Sequence, residues 1–209
     1  MILAVDTTSE FGSMALVEEG RVIGEMAMHS PGGFSHVLYD HLGALLRDHG
    51  VQLSGIDCFA SAAGPGSFTG VRVGLAAVKG LAEAAGRPAV AVSNLQALAA
   101  FGERPLRATV LDARRGDIFG AVYDAALKTV RPEVVMKLED WVRSLPLGDL
   151  EFISNQTFAE LAVRTAPHEL AAAIARIAEA RFLRGEATDP ALLDANYVRR
   201  SDAELFWKE

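Results

Sequence analysis

The chain has 209 residues, half of them hydrophobic, and a formal net charge of −7 at pH 7. An acidic chain does not hold nucleic acid strongly by itself, because that affinity rests on lysine and arginine neutralising phosphates. A single cysteine, Cys58, excludes an intramolecular disulfide framework, and no apolar run approaches the roughly 18–20 residues of a membrane-spanning helix.

Strands and helices alternate through the first half of the chain. Short apolar runs predict strands at 2–6, 13–18, 21–28, 56–63 and 89–92, and helical spacing of apolar residues predicts helices over 34–49 and 70–85. The first run reaches Asp6 without a preceding basic segment, so we expect a strand and not a signal peptide, and a cytoplasmic location. This order indicates a mixed sheet with helices on its faces.

A glycine-rich run, Gly64-Pro65-Gly66-Ser67-Phe68-Thr69-Gly70-Val71-Arg72-Val73-Gly74, follows the fourth strand and opens a helix. Free backbone N–H groups at such a turn suit phosphate or carboxylate groups, and the alternative is a tight turn with no ligand. The run is not a Walker A loop, because no Lys-Ser/Thr follows the last glycine of the required frame. It also misses the dinucleotide fingerprint, since Thr69 stands at the third glycine position.

A polar turn, Asp6-Thr7-Thr8-Ser9, comes at the end of the first strand. Its hydroxyl and N–H groups can bind phosphate, and Asp6 can hold Mg²⁺ through water. The alternative is a turn that bonds its own side chains, as aspartate, threonine and serine do routinely.

The predicted helix over 70–85 is apolar nearly all round and must be covered on two sides. One side suits the sheet. The other consists mostly of small residues, which allow close approach of a second helix, either helix 34–49 of the same chain or a helix of a partner. The small side comprises Val73, Ala76, Ala77, Gly80 and Ala84.

The dipeptide Arg104-Pro105 predicts a boundary that divides the chain into a first unit, 1–104, and a smaller second unit, 105–209. The last helix or the tail of the second unit can pack on the first unit. Strands are expected at 108–112, 118–123, 132–138 and 151–153, and helices at 139–145 and 168–184. In both halves a strand ending in aspartate, Asp6 or Asp112, precedes a polar turn, Phe-Gly and another strand. The offset is 106 to 108 residues, which suggests an internal repeat.

Five segments are informative in their order and spacing: 2–8, Ala15-Leu16-Val17, Gly64 to Gly74, Leu111-Asp112-Ala113-Arg114-Arg115 and Tyr197-Val198-Arg199. Together they resemble the bacterial TsaB (YeaZ) family over nearly the whole chain. The resemblance implies an α/β, actin-like (ASKHA) fold with two lobes, each a mixed sheet flanked by helices, the second lobe reduced. It also implies a role in forming N6-threonylcarbamoyladenosine at position 37 of tRNAs that read codons starting with A. In that family the protein is not the catalyst but pairs with TsaD, a metal-bearing transferase paralogue, and with TsaE, an ATPase.

The resemblance also predicts that no metal is bound. The paralogue has an H-x-x-x-H metal site after the strand that follows the glycine helix, and here Asn94 and Leu98 stand at those positions. No cofactor is expected, with weak ATP or ADP binding left open. Six residues then shape only a degenerate phosphate loop or cleft: Asp6, Thr7, Thr8, Gly64, Gly66 and Asp112.

The two helices 34–49 and 70–85 are predicted to form the surface that binds the paralogue or, in isolation, a second copy of the chain. The residues assigned to it are Phe34, Val37, Leu38, His41, Leu45, Val73, Ala76, Ala77, Gly80 and Ala84. tRNA is expected to be bound only through the complex, and no membrane is expected as a partner. The competing hypothesis is a stand-alone phosphotransferase or peptidase of the same superfamily.

Overall fold

The structure, a computed structural model, describes residues 1–198, so Arg199 and the rest of the C-terminal segment lie outside the described residues. The chain forms two compact units. The first comprises Met1–Ala97 and His168–Ala195, and the second comprises Leu98–Pro167 and continues from Asn196. The boundary therefore lies at residues 97 and 98 where 104 and 105 were expected, and the last helix belongs to the first unit.

The first unit contains a five-stranded mixed sheet in the order β3-β2-β1-β4-β5. Its strands are β1 (Ile2–Asp6), β2 (Phe11–Glu18), β3 (Arg21–His29), β4 (Cys58–Ala62) and β5 (Ala89–Val92). The first three strands pair antiparallel, and β1, β4 and β5 pair parallel. Its helices are α1 (Leu38–Asp48), α2 (Phe68–Ala85), α3 (Asn94–Ala99, which runs into the second unit) and α5 (Ala171–Leu183).

Helices cover both faces of this sheet, which explains why β1 and β4 are buried throughout. Leu3 and Val5 of β1 join α1 and α2 in one apolar cluster. Alternate residues of a strand point to opposite faces, so Asp6 lies on the other side, with its cross-strand partner Ser13. That side meets α5, where the Ala171 N–H donates to Ser13 Oγ at 3.0 Å.

The helix ends differ slightly from the predicted ones. We expected the first helix to begin near residue 34, but Phe34 to Val37 form a turn. The helix α1 begins after this turn, and the Val37 side chain at its N-terminus makes no capping hydrogen bond. The second begins two residues earlier than expected, because the Ser67 hydroxyl caps α2 by accepting from the Gly70 N–H at 3.3 Å. It ends at Gly86, whose φ of 62° is left-handed.

The second unit contains another five-stranded sheet, in the order β10-β9-β6-β7-β8. Its elements are β6 (Leu106–Asp112), β7 (Asp117–Asp124), β8 (Thr129–Lys137), α4 (Leu138–Ser144), β9 (Leu150–Ser154) and β10 (Val163–Thr165). A small core of Ala108, Val110, Ile118, Val122 and Trp141 lies between this sheet and α4. Residues 155–162 occupy the chain position that α2 has in the first unit, which makes the second unit the reduced one.

The two sheets have the same strand order and the same strand directions, which confirms the predicted internal repeat. Each repeat also uses its Phe-Gly glycine in the same way. A Cβ on Gly12 would lie 2.7 Å from Phe34 Cζ, and one on Gly120 would lie 2.7 Å from Trp141 Nε1. In both units a missing side chain therefore admits a large aromatic ring onto the sheet.

Candidate functional site

The carboxylate of Asp6 is bound by its own turn. The side chain is buried, and its Oδ1 accepts the Thr8 backbone N–H at 2.9 Å and the Thr8 hydroxyl at 2.7 Å. Burial raises the pKa of Asp6, and the hydrogen bonds from Thr8 and Asn94 oppose that rise. Of the two alternatives for this turn, the geometry favours the side-chain-bonded one.

Asn94, at the start of α3, joins this turn to the glycine-rich run. Its Oδ1 accepts the Gly64 N–H at 2.9 Å, and its Nδ2 donates to Thr8 Oγ1 at 2.7 Å and to Asp6 Oδ2 at 3.5 Å. Its backbone N–H donates to the Gly64 carbonyl at 2.9 Å. The sequence marked Asn94 only as a position without a metal ligand, whereas the structure gives it a part in holding three segments together.

The glycines of the run are required because the Thr7-Thr8 turn lies directly against them. A Cβ on Gly66 would lie 2.6 Å from the Thr8 carbonyl oxygen, and one on Gly70 would overlap the Thr7 carbonyl oxygen. One on Gly74 would lie 2.7 Å from Thr7 Oγ1. The pattern therefore reflects close packing of a turn on a helix.

Several N–H groups that an anion would need already have acceptors in the chain. The Gly64 N–H donates to Asn94, the Ser67 N–H donates to the Thr8 carbonyl at 2.6 Å, and the Gly70 N–H donates to Ser67 Oγ. The Thr7 hydroxyl donates to the Gly70 carbonyl at 2.7 Å. These bonds favour the tight turn over the anion pocket.

Asp112 ends β6, yet it does not repeat the environment of Asp6. It is exposed, its Oδ1 accepts the Arg114 N–H at 2.8 Å, and its own N–H donates to Gln156 Oε1 at 2.7 Å. Its cross-strand partner Ile118 belongs to the core under α4, so Asp112 lies on the face that carries Trp141. Asp6 lies on the face opposite α1 and α2, so the two aspartates are placed differently within their own units.

The residues assigned to partner binding separate into three groups. Four are buried in the core of the first unit and cannot form a surface: Phe34, Leu38, Leu45 and Ala77. This part of the assignment is wrong, because these side chains cover the sheet of their own unit. Val37, His41 and Val73 are half-buried. Ala76, Gly80 and Ala84 are exposed at successive turns of α2.

Two exposed aromatic residues were not singled out from the sequence. Phe68, at the start of α2, is 53% exposed, and the Arg72 guanidinium lies 3.5 Å from the centre of its ring. Tyr39 of α1 is 59% exposed. We call Ala76, Gly80 and Ala84 the α2 strip, an exposed line of small residues beside the charged residues Arg72 and Glu83.

His29 and His168, which are far apart in sequence, both stack against Phe11, with ring centroids 4.7 and 4.5 Å from the centroid of that ring. Within residues 1–198 no three histidine, cysteine or acidic side chains come together as a metal site would require. Over the same range no helix is long and apolar enough to cross a membrane.

Two units that repeat one mixed sheet, with strand order 3-2-1-4-5 and the same directions, define the actin-like class of α/β proteins. Residues 33–182 match the family model described as TsaD: tRNA N6-adenosine threonylcarbamoyltransferase. Over the full length, the chain is 31% identical to the tRNA threonylcarbamoyladenosine biosynthesis protein TsaB of Bacillus subtilis, covering 100% of this chain and 98% of that protein. The chain therefore belongs to the TsaB (YeaZ) family, within the wider group that the TsaD model describes.

Two further comparisons agree with this assignment. The TsaB protein of Escherichia coli is 36% identical over 126 residues, which cover 58% of this chain and 54% of that protein. YeaZ from Pseudomonas aeruginosa superposes with a TM-score of 0.80 at 28% identity, covering 94% of this chain and 98% of that one.

Proposed function

We propose that the protein is a non-catalytic subunit required for N6-threonylcarbamoyladenosine formation at A37 of tRNAs reading codons that start with A. It acts by binding a TsaD-type metal-dependent transferase paralogue and a TsaE-type ATPase. The observation that carries the proposal is the full-length relation to a TsaB protein at 31% identity. Because that pathway acts on tRNA, the cytoplasm is the compartment we propose.

The polar site in the first unit supports a non-catalytic role. The groups that would act on a substrate, Asp6, Thr8 and Asn94, bond to one another and to the backbone. Leu98, at the other position aligned with a metal-binding histidine, is an apolar side chain with 0% exposure. A site in which the polar groups are already paired has a structural role, so we propose no metal and no required nucleotide.

The α2 strip supports a partner surface smaller than the one expected from the sequence. Ala76, Gly80 and Ala84 follow one another at intervals of four residues and lie on one side of the helix. Small side chains there allow another helix to come close, and Phe68 adds an exposed apolar anchor at one end. A second copy of the chain would compete for this strip, so an isolated homodimer and the complex with the paralogue exclude each other.

The net charge of −7 supports binding of tRNA through the complex rather than by this chain alone. The test is reconstitution with the purified paralogue, the ATPase, tRNA and a supply of threonylcarbamoyl adenylate. Leaving out this chain is expected to abolish modification, measured by nucleoside mass spectrometry. Modification that proceeds equally well without it would refute the proposal.

A matched pair of variants tests the strip. Ala76→Arg places a long cation on it, whereas Ala180→Arg makes the same change at an exposed position of α5, on the opposite side of the sheet. We expect Ala76→Arg to weaken binding of the paralogue by at least about tenfold, roughly 1.4 kcal/mol, and Ala180→Arg to leave it unchanged. ATP or peptide hydrolysis by the purified chain alone would favour the competing enzyme hypothesis.

A further inference from the structure

The turn between β6 and β7 has an unusual backbone. Arg114, Arg115 and Gly116 follow one another with φ values of 65°, 57° and 75°. A left-handed conformation is strained for any residue with a Cβ, and glycine or asparagine normally occupies such positions. Among the described residues, Glu19 and Leu127 also have positive φ, but neither adjoins another such non-glycine residue. Two successive arginines therefore occupy positions at which turn formation favours other residues.

Neighbouring groups hold this turn in its strained form. The Ala113 N–H donates to the Asp117 carbonyl at 2.9 Å, and the Asp117 N–H donates to the Arg114 carbonyl at 3.0 Å. Asp112 accepts the Arg114 N–H, and Lys137 Nζ donates to the Arg115 carbonyl at 3.0 Å. Strained residues persist where the surrounding structure determines their conformation, and such residues concentrate at binding sites and switches.

The Arg114 side chain is too exposed for packing contacts to offset this strain. It is 87% exposed, and its guanidinium lies 3.6 Å from Asp112 Oδ2, which is beyond good hydrogen-bond distance. An ion pair this exposed adds little stability. Because the strained conformation of Arg114 is not offset by packing of its side chain, we expect this side chain to contact another molecule.

We infer that Arg114, on this turn, binds a carboxylate group on the surface of a protein partner. A guanidinium group matches a carboxylate with two parallel hydrogen bonds, and arginine is enriched among residues that dominate protein interfaces. The partner is a subunit of the modification complex, so this inference rests on the proposed function. It adds a contact in the second unit that is separate from the α2 strip.

The charges of the chain favour a carboxylate over the phosphates of RNA. Binding of nucleic acid through phosphates needs many cations, since each contact releases only about one counterion. Here Arg114 lies beside Asp112 and Lys137 pairs with Asp117, in a chain of net charge −7. One guanidinium group on a fixed turn is enough to recognise a carboxylate on a protein.

Two substitutions of Arg114 separate the effect of backbone strain on the melting temperature from the effect of the side chain on partner binding. Arg114→Gly relieves the left-handed strain and removes the cation, so the melting temperature is expected to rise by about 1–4 °C while binding weakens about tenfold. Arg114→Lys keeps both the charge and the strain but not the paired hydrogen bonds, so it should melt like the wild type and bind with intermediate affinity. Arg143→Gln removes an exposed arginine from α4 in the same unit and should change neither property.

The binding measurements use the full chain with the purified TsaD-type paralogue, with the purified TsaE-type ATPase and with unmodified tRNA, each at two salt concentrations. Weaker binding of one protein subunit by Arg114→Gly, with the difference smaller at high salt, supports the inference. Equal binding by Arg114→Gly and wild type overturns this inference alone. A lower melting temperature for Arg114→Gly, or a loss confined to tRNA binding, also overturns it. A wild-type chain that binds neither subunit overturns the proposed function and this inference with it.

Discussion

Gly70 is the glycine with the closest approach to another backbone, and replacing it gives the sharpest test of the packing between the turn after β1 and α2. In Gly70→Ala the new Cβ would overlap the Thr7 carbonyl oxygen, so the turn or the start of the helix must move. Overpacking of this kind costs about 1–3 kcal/mol. Movement also weakens the hydrogen bond from Thr7 Oγ1 to the Gly70 carbonyl, which adds about 1 kcal/mol. We therefore expect a loss of about 2–4 kcal/mol.

Thermal unfolding followed by far-UV circular dichroism measures this loss. In a chain of this size about 1 kcal/mol shifts the melting temperature by roughly 2–4 °C, so Gly70→Ala should melt about 5–15 °C below the wild type. Gly80→Ala is the control on the same helix, because a Cβ there meets nothing within 4 Å. It should raise the melting temperature by about 2–4 °C through helix propensity. A Gly70→Ala variant that melts within about 2 °C of wild type would refute the argument that contact with Thr7 requires this glycine.

Three further predictions concern buried groups of the first unit. Ala77 is in its core, so Ala77→Arg should lose the native circular dichroism spectrum that Ala76→Arg retains; two equally folded variants would contradict the burial. Burial raises the pKa of the Cys58 thiol to about 12, so native protein at pH 8 should release no chromophore from Ellman's reagent until denatured. Burial also raises the pKa of Asp6, so the folded state keeps the Asp6 proton at pH values where the unfolded state has lost it. The free energy of unfolding therefore falls as pH rises from 3.8 to the raised pKa of the folded state. Asp6→Asn should remove that part of the slope of urea midpoints against pH, and an unchanged slope would contradict it.

The strands and the repeat could be predicted because their signals are local. Short apolar runs identify β1, β4 and β6, and the Phe-Gly pairs at Phe11 and Phe119 mark equivalent strands. The resemblance to the TsaB family, which rests on ordered motifs, was confirmed by the full-length comparison.

The details of the site could not be predicted because they depend on contacts between distant segments. Gly70 meets Thr7 across 63 residues, and Asn94 meets Thr8 across 86. On α2 the charged residues Arg72, Lys79 and Glu83 recur at helical spacing on one side of the helix. Ala76 lies on that side and is exposed, whereas Ala77 lies about 100° further round and is buried, so helical spacing separates the two alanines that the sequence prediction had grouped together.

The return of α5 to the first unit has a consequence during synthesis on the ribosome. The hydrogen bond from Ala171 to Ser13 spans 158 residues, so the face of the first sheet that α5 covers stays open until almost the whole chain has emerged. The main segment of the second unit, Leu98 to Pro167, is translated within that interval, so it can begin to fold before α5 reaches the first sheet. Until then the N-terminal strands keep one apolar side uncovered, and exposed apolar surface of this kind favours aggregation of the nascent chain.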